Sequence, residues 1–230
     1  MPQPKAGETV LRTPGQIDGQ QFLIDGAEDC VIRVLDNCAQ VWQPCAVSHF
    51  PGLTLCAPAQ VTIDDAKKCE IVIGPCEDSL FVRDCEDCVV HAVCRQLRTR
   101  NCVRCKFFLW VLTEPVIESS HSLEFGEWHT SYPQLDAQFG NAKLDPAEPN
   151  LCKKIYDFTP DDPNPPHWSP APAQSLITLE LEGEFGAAVN PAPPSSSAPP
   201  PAAAAAEQQE ADWAEKQGAV CPPAPAPEAD

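Results

Sequence analysis

Four nonapeptides, FLIDGAEDC (22–30), VTIDDAKKC (61–69), LFVRDCEDC (80–88) and LRTRNCVRC (97–105), share one pattern, and each ends on cysteine. The first and third positions are mostly apolar: Phe22 and Ile24, Val61 and Ile63, Leu80 and Val82, then Leu97 and Thr99. The second and fourth are more polar, and the fifth is Gly, Asp or Asn, residues that suit a corner. A second apolar run follows each cysteine: VIRVL, EIVIG, VVHAV and KFFLWVL. Each unit thus holds two short strands and a corner. A unit so small cannot close its own core, so successive units must stack. The expected fold is all-β, a parallel β-helix of 17–20-residue coils about 4.8 Å apart, with equivalent positions forming ladders.

The pairs Cys85/Cys88 and Cys102/Cys105, each C-x-x-C and one repeat apart, imitate a zinc ribbon. The repeat register excludes that reading. The sixth position is Ala27, Ala66, Cys85 or Cys102, and alanine cannot ligate zinc. Alanine and cysteine share small size and ease of burial. These cysteines are expected to be free thiols facing the core, with no metal bound. The odd total of 13 fits poorly with a disulfide framework. The N-terminus MPQPKAGETV has no secretory pattern, so a reduced, cytoplasmic setting is expected. Pro2 after Met1 is incompatible with myristoylation at this start, and no stable membrane anchor is expected.

One interval breaks the period. The step from Ala27 to Ala66 is about twice that from Ala66 to Cys85. Removing Val41 to Gln60 restores the period, which marks 41–60 as an insert. It is either an unspliced intron in a conceptual translation, the favoured reading, or a loop bulging from a coil corner. The expected organisation is a flexible N-terminus over 1–6, a repeat domain over 7–181, and a disordered acidic Pro/Ala-rich tail over 182–230. With 33 acidic against 15 basic residues, a net charge of −18 repels nucleic acid and anionic membrane.

Six of the fifteen basic residues nonetheless lie between Arg83 and Lys106. Arg98 and Arg100 hold the second and fourth repeat positions, so both should point outward from one face. Two outward arginines on an acidic protein suit an anion, a phosphate or an acidic partner. No Gly-rich phosphate loop, nucleophile elbow or H-E-x-x-H occurs, so the chain has no complete catalytic site of its own. His91, in VVHAV, reads as a paired or exposed histidine. Glu124, Glu127 and His129 imitate a metal cluster without a further ligand motif.

The segments GQQFLI, VTIDD, C-x-Q-L-R, EPVIESS, SYPQL and IYDFTP stand in an order that resembles the tubulin-binding cofactor C domain family. The resemblance runs from about Gly7 to Leu181 and implies a right-handed β-helix. It also implies that the domain supplies an arginine finger in trans. In one branch the target is an Arf-like small GTPase, linked to ciliary protein transport; in the other it is tubulin. GTP and magnesium would belong to the partner, and the domain would need no cofactor of its own. The family's Q-x-R falls on Gln96, Leu97 and Arg98, which makes Arg98 the finger and Gln96 its support. Glu118, from EPVIESS, would sit beside Arg98 and pre-position it. Phe158 would dock the partner, with Asp157, Arg100 and Arg95 as further contacts. Arg95 replaces a glutamine usual before Q-x-R, and Leu151 or Cys152 replaces a usual tryptophan. The DFTP form favours the small GTPase over β-tubulin biogenesis. A non-catalytic ciliary or cytoskeletal scaffold is the remaining alternative. The implied location is cytoplasm, cilium or basal body.

Overall fold

The computed structural model describes residues 4–38, 60–183 and 185–191. The chain is mostly β. In order come β1 (Thr9–Arg12), β2 (Phe22–Asp25), β3 (Val31–Val34), β4 (Gln60–Asp64), β5 (Glu70–Arg83), β6 (Val89–Arg100) and β7 (Lys106–Val111). Then follow β8 (Val116–Glu118), β9 (Leu123–Glu127), β10 (Thr130–Pro133), α1 (Leu135–Asn141), β11 (Tyr156–Asp157), β12 (Trp168–Pro170), β13 (Ile177–Thr178) and β14 (Ala188–Val189). Eleven strands form one large sheet in which every pairing is parallel.

Each repeat contributes one strand to each of two ladders. The strand before the corner builds β2–β4–β5–β6–β8–β11, and the strand after it builds β1–β3–β5–β6–β7–β9–β12. Long β5 and β6 serve both, and β5 changes register at Ile73/Cys76 and Cys76/Ser79 where it passes from one to the other. Between the two strands lies the corner predicted at the fifth position. Gly26, Asp65, Asp84, Asn101 and Ser119 all have positive φ, from 45° to 62°. A non-glycine residue there is strained by roughly 1 kcal/mol, and a bond from its own N–H to the adjacent unit offsets that cost. Asp65, Asp84 and Asn101 donate to the carbonyls of Arg83, Arg100 and Glu118 at 3.0–3.1 Å.

The alternation of each strand fixes what faces inward. In β2 the pattern is buried at Phe22 and Ile24 and exposed at Leu23 and Asp25. Small residues make the inner columns: Ala27, Ala66, Cys85 and Cys102 in one, Cys30, Cys69, Cys88 and Cys105 in the next, none more than 2% exposed. The cysteines are core residues, as the alanine substitutions required. Their thiols donate back one unit, Cys88 to the Ala66 carbonyl at 3.3 Å and Cys102 to that of Val82 at 3.4 Å. Burial pushes the thiols of Cys38 and Cys94 up and that of Cys76 to about 11. Cys85→Ala or Cys102→Ala is therefore expected to cost about 1 kcal/mol in urea unfolding, since only one small atom leaves a column that accepts alanine. Metal analysis of the purified protein should find no stoichiometric zinc. One zinc per chain, with unfolding on chelation, would sink this account.

Phe22 pairs directly with Val61, so the ladder passes over the expected insert without interruption. Residues 41–59 lie outside the described residues, as does 192–230 of the expected tail. Two boundaries shift. Gln60, assigned to the insert, is the first residue of β4 and pairs with Ser79. β14, assigned to the tail, pairs antiparallel with β10 through Tyr132↔Val189.

A second excursion, unforeseen from the repeat, separates β8 from β11, which are adjacent in the ladder although the chain runs from Val116 to Tyr156 between them. It carries β10 and α1 and buries Trp110, Trp128, Tyr132, Leu135 and Phe139 in a separate cluster against the outer side of the second ladder. Tyr132 donates to Gln138 Oε1 at 2.8 Å, and Gln138 donates to the Leu35 carbonyl at 3.0 Å. Gly74 is required beneath this contact, because a Cβ there would stand 2.6 Å from the Tyr132 hydroxyl. His91 is also absorbed by packing: it is buried, stacks on Phe108 at 5.1 Å, and desolvation pushes it down to about 4.

Candidate partner-binding face

The outer side of the first ladder reads as two rows of side chains. Because parallel strands hold equivalent residues side by side, Leu23, Thr62, Phe81, Arg98, Val116 and Tyr156 form one row. Two positions further on, Asp25, Asp64, Arg83, Arg100 and Glu118 form the other. Phe158 continues that row, its N–H bonded to the Ile117 carbonyl at 2.8 Å. Leu23, Tyr156 and Phe158 are 48%, 52% and 61% exposed, unusual values for large apolar groups on a sheet. Repeat reasoning placed Arg98 and Arg100 here but missed Phe81 and Tyr156, whose place depends on cross-strand register.

The arginines differ sharply in what they touch. Arg83 makes a two-pronged bond to Asp64, directly opposite, at 2.8 and 2.6 Å. Arg104 pairs with Glu86 and Asp87 at a corner. Arg95, expected to meet the partner, is half-buried and donates to the carbonyls of Glu77 (3.0 Å) and Lys143 (3.5 Å), tying the ladder to the excursion. Arg98 and Arg100 are exposed, and among the described residues neither side chain has a hydrogen bond or ion pair. The Arg98 guanidinium lies 5.9 Å from the centre of the Phe81 ring.

Glu118 does not stand directly beside Arg98. The register between these strands sets Arg98 opposite Val116 and Arg100 opposite Glu118. Gln96 is half-buried, on the same side of β6 as Arg98, and lines a cleft of about 440 Å³ with Leu112, Glu114, Val116, Leu151 and Tyr156. Leu151 thus borders the face, whereas Cys152 is buried in the core.

Asp157 is engaged within its own segment. Its carboxylate accepts from the Thr159 N–H at 2.9 Å and pairs with His167 Nδ1 at 2.6 Å. That carboxylate, then the Asp162 carbonyl, raises the His167 pKa above 6.5. The pairing supports the folded segment fully below the unfolded value of about 6.5 and is lost as pH rises through the raised one. An NMR titration should place His167 above 6.5 and Asp157→Asn should return it towards 6.5. A wild-type midpoint at or below that value would show the pair to be absent in solution.

The fold and face come with a sequence match: residues 19–158 fit the model of the family described as Tubulin binding cofactor C. The chain belongs to the tubulin-binding cofactor C family. Among curated relatives of this cofactor C domain, Protein XRP2 of Danio rerio is 38% identical over 170 residues, covering 74% of this chain and 39% of its own length. Protein XRP2 of Homo sapiens is 37% identical over 170 residues, covering 74% and 42%. Tubulin-specific chaperone C of Homo sapiens is 30% identical over 119 residues, covering 51% and 34%. The chain spans less than half the length of these relatives. Among the described residues, no helix is long and apolar enough to cross a membrane.

Proposed function

We propose that this cofactor C domain is a right-handed parallel β-helix that activates a GTPase in trans, with Arg98 as the arginine finger. The observation that carries the reading is the state of Arg98: exposed, on a central strand paired on both sides and, among the described residues of a strongly acidic chain, bonded to no carboxylate. A guanidinium in that state is free to meet the oxygens of a transferring phosphoryl group. There it neutralises charge that develops in the transition state, worth about 10³ to 10⁵ in rate. GTP and magnesium come with the partner. Gln96 supports the finger from the same strand, and Phe158 with Tyr156 gives the partner an apolar foothold. Arg100 adds positive charge to the contact, and Glu118 stands opposite it rather than opposite Arg98.

The partner favoured is an Arf-like small GTPase, the target that the DFTP form of residues 157–160 implies by resemblance. Tubulin is the second reading, supported by relatives named Tubulin-specific chaperone C. The deciding experiment is single-turnover GTP hydrolysis by an Arf-like GTPase and by tubulin, each with this domain at saturating concentration. Acceleration of one names the target. Binding without acceleration of either would leave a scaffold in place of the activator.

A further inference from the structure

The chain carries a net charge of −18, yet among the described residues Arg98 has no carboxylate directly opposite it on either neighbouring strand. Arg83 shows what the face does to an arginine that has one. It is fixed by both oxygens of Asp64, the residue directly opposite on the neighbouring strand. Arg98 stands one strand further along, in the adjacent row. The residue opposite it on the same side, in the geometry that Asp64 has towards Arg83, is Phe81. Its other direct neighbour is Val116. The acids of this face, Asp25, Asp64 and Glu118, all belong to the other row.

We propose that Phe81 is a positioning residue for Arg98. Its ring holds the guanidinium by a cation–π contact, and its side chain fills the place from which a carboxylate would capture it. The inference rests on the GTPase-activation reading and adds a cause for the finger's freedom. A cation held by a ring keeps all five N–H donors available, whereas one held two-pronged by a carboxylate has given two away. Phosphate oxygens can then displace a weak contact rather than a charged pair. Thr62, opposite Phe81 on the next strand, extends a row without carboxylates to either side of the finger.

Phe81→Tyr, Phe81→Leu and Phe81→Glu test this in the full chain, against an Arf-like GTPase loaded with GTP and with Arg98→Ala alongside. Single-turnover rate at saturation, partner affinity and thermal midpoint are read together. Tyrosine keeps the ring and should stay within about two-fold of wild type. Leucine keeps apolar bulk without the ring and should lower the saturated rate about two- to five-fold. Glutamate should capture Arg98 as Asp64 captures Arg83, bringing the rate close to that of Arg98→Ala. Raising ionic strength should restore part of it, since a surface pair is screened. Leucine and glutamate variants hydrolysing at the wild-type rate, while Arg98→Ala does not, would overturn the role of Phe81. So would a fall in thermal midpoint with the saturated rate unchanged, the mark of packing alone. A wild-type rate for Arg98→Ala would instead remove the activation reading, and this inference with it.

Discussion

Arg98→Ala is expected to lower stimulated GTP hydrolysis by about 10³ to 10⁵, a loss of roughly 4 to 7 kcal/mol of transition-state stabilisation. The effect should fall on the rate at saturation. An interaction made chiefly in the transition state contributes little to ground-state affinity, so binding should move only a few-fold. Folding stability should change by about 0.5 kcal/mol or less, because the side chain is exposed and only its contact with Phe81 is lost. Lysine should rescue poorly, since it keeps the charge but not the planar fork of donors. Glu118→Ala should lower the rate far less, as it faces Arg100. A partner that binds Arg98→Ala normally and hydrolyses at the wild-type rate would end the finger assignment.

Phe158→Ala should do the reverse. The ring is 61% exposed at the end of the charged row, beside Tyr156, and makes little contribution to the free protein's stability. Covered by a partner, a large aromatic of this kind typically contributes about 2 kcal/mol or more. The expected result is a dissociation constant raised about 30-fold or more, with hydrolysis at saturation unchanged. A titration of the two proteins against the partner separates the effects. An affinity within two-fold of wild type would place the docking contact elsewhere on the face.

The repeat made the ladders and their inner columns legible, because alternation and the alanine–cysteine exchange at the sixth position are local properties. Corner residues were legible for the same reason: Asp65, Asp84 and Asn101 take the positive φ that their side chains tolerate. The excursion was not. All four residues of β10 are buried, which erases its alternation, and the seven-residue α1 has Gln134 at its N-cap, with no side-chain cap bond. The outward placement of Arg98 and Arg100 was legible from the repeat, but what stands beside each of them was not. The pairings Val61↔Leu80, Leu80↔Leu97 and Arg98↔Val116 each step along the chain by a slightly different amount. That small drift decides that Val116, not Glu118, stands opposite Arg98. β14 was hidden because a two-residue strand in a Pro/Ala-rich stretch has no pattern to detect.

The long detour before β11 has a kinetic corollary. Arg98 lies on β6, paired there with β5 on one side and β8 on the other, whereas Tyr156 and Phe158 belong to a stretch whose two-residue strand, among the described residues, pairs with β8 alone. Strands held on one edge by few bonds open at lower free energy than those inside a sheet. The foothold should therefore exchange its amide hydrogens well before the finger does. At a fixed temperature, a mild lesion in the aromatic cluster of the detour should therefore raise KM while leaving kcat, read at saturation, nearly unchanged.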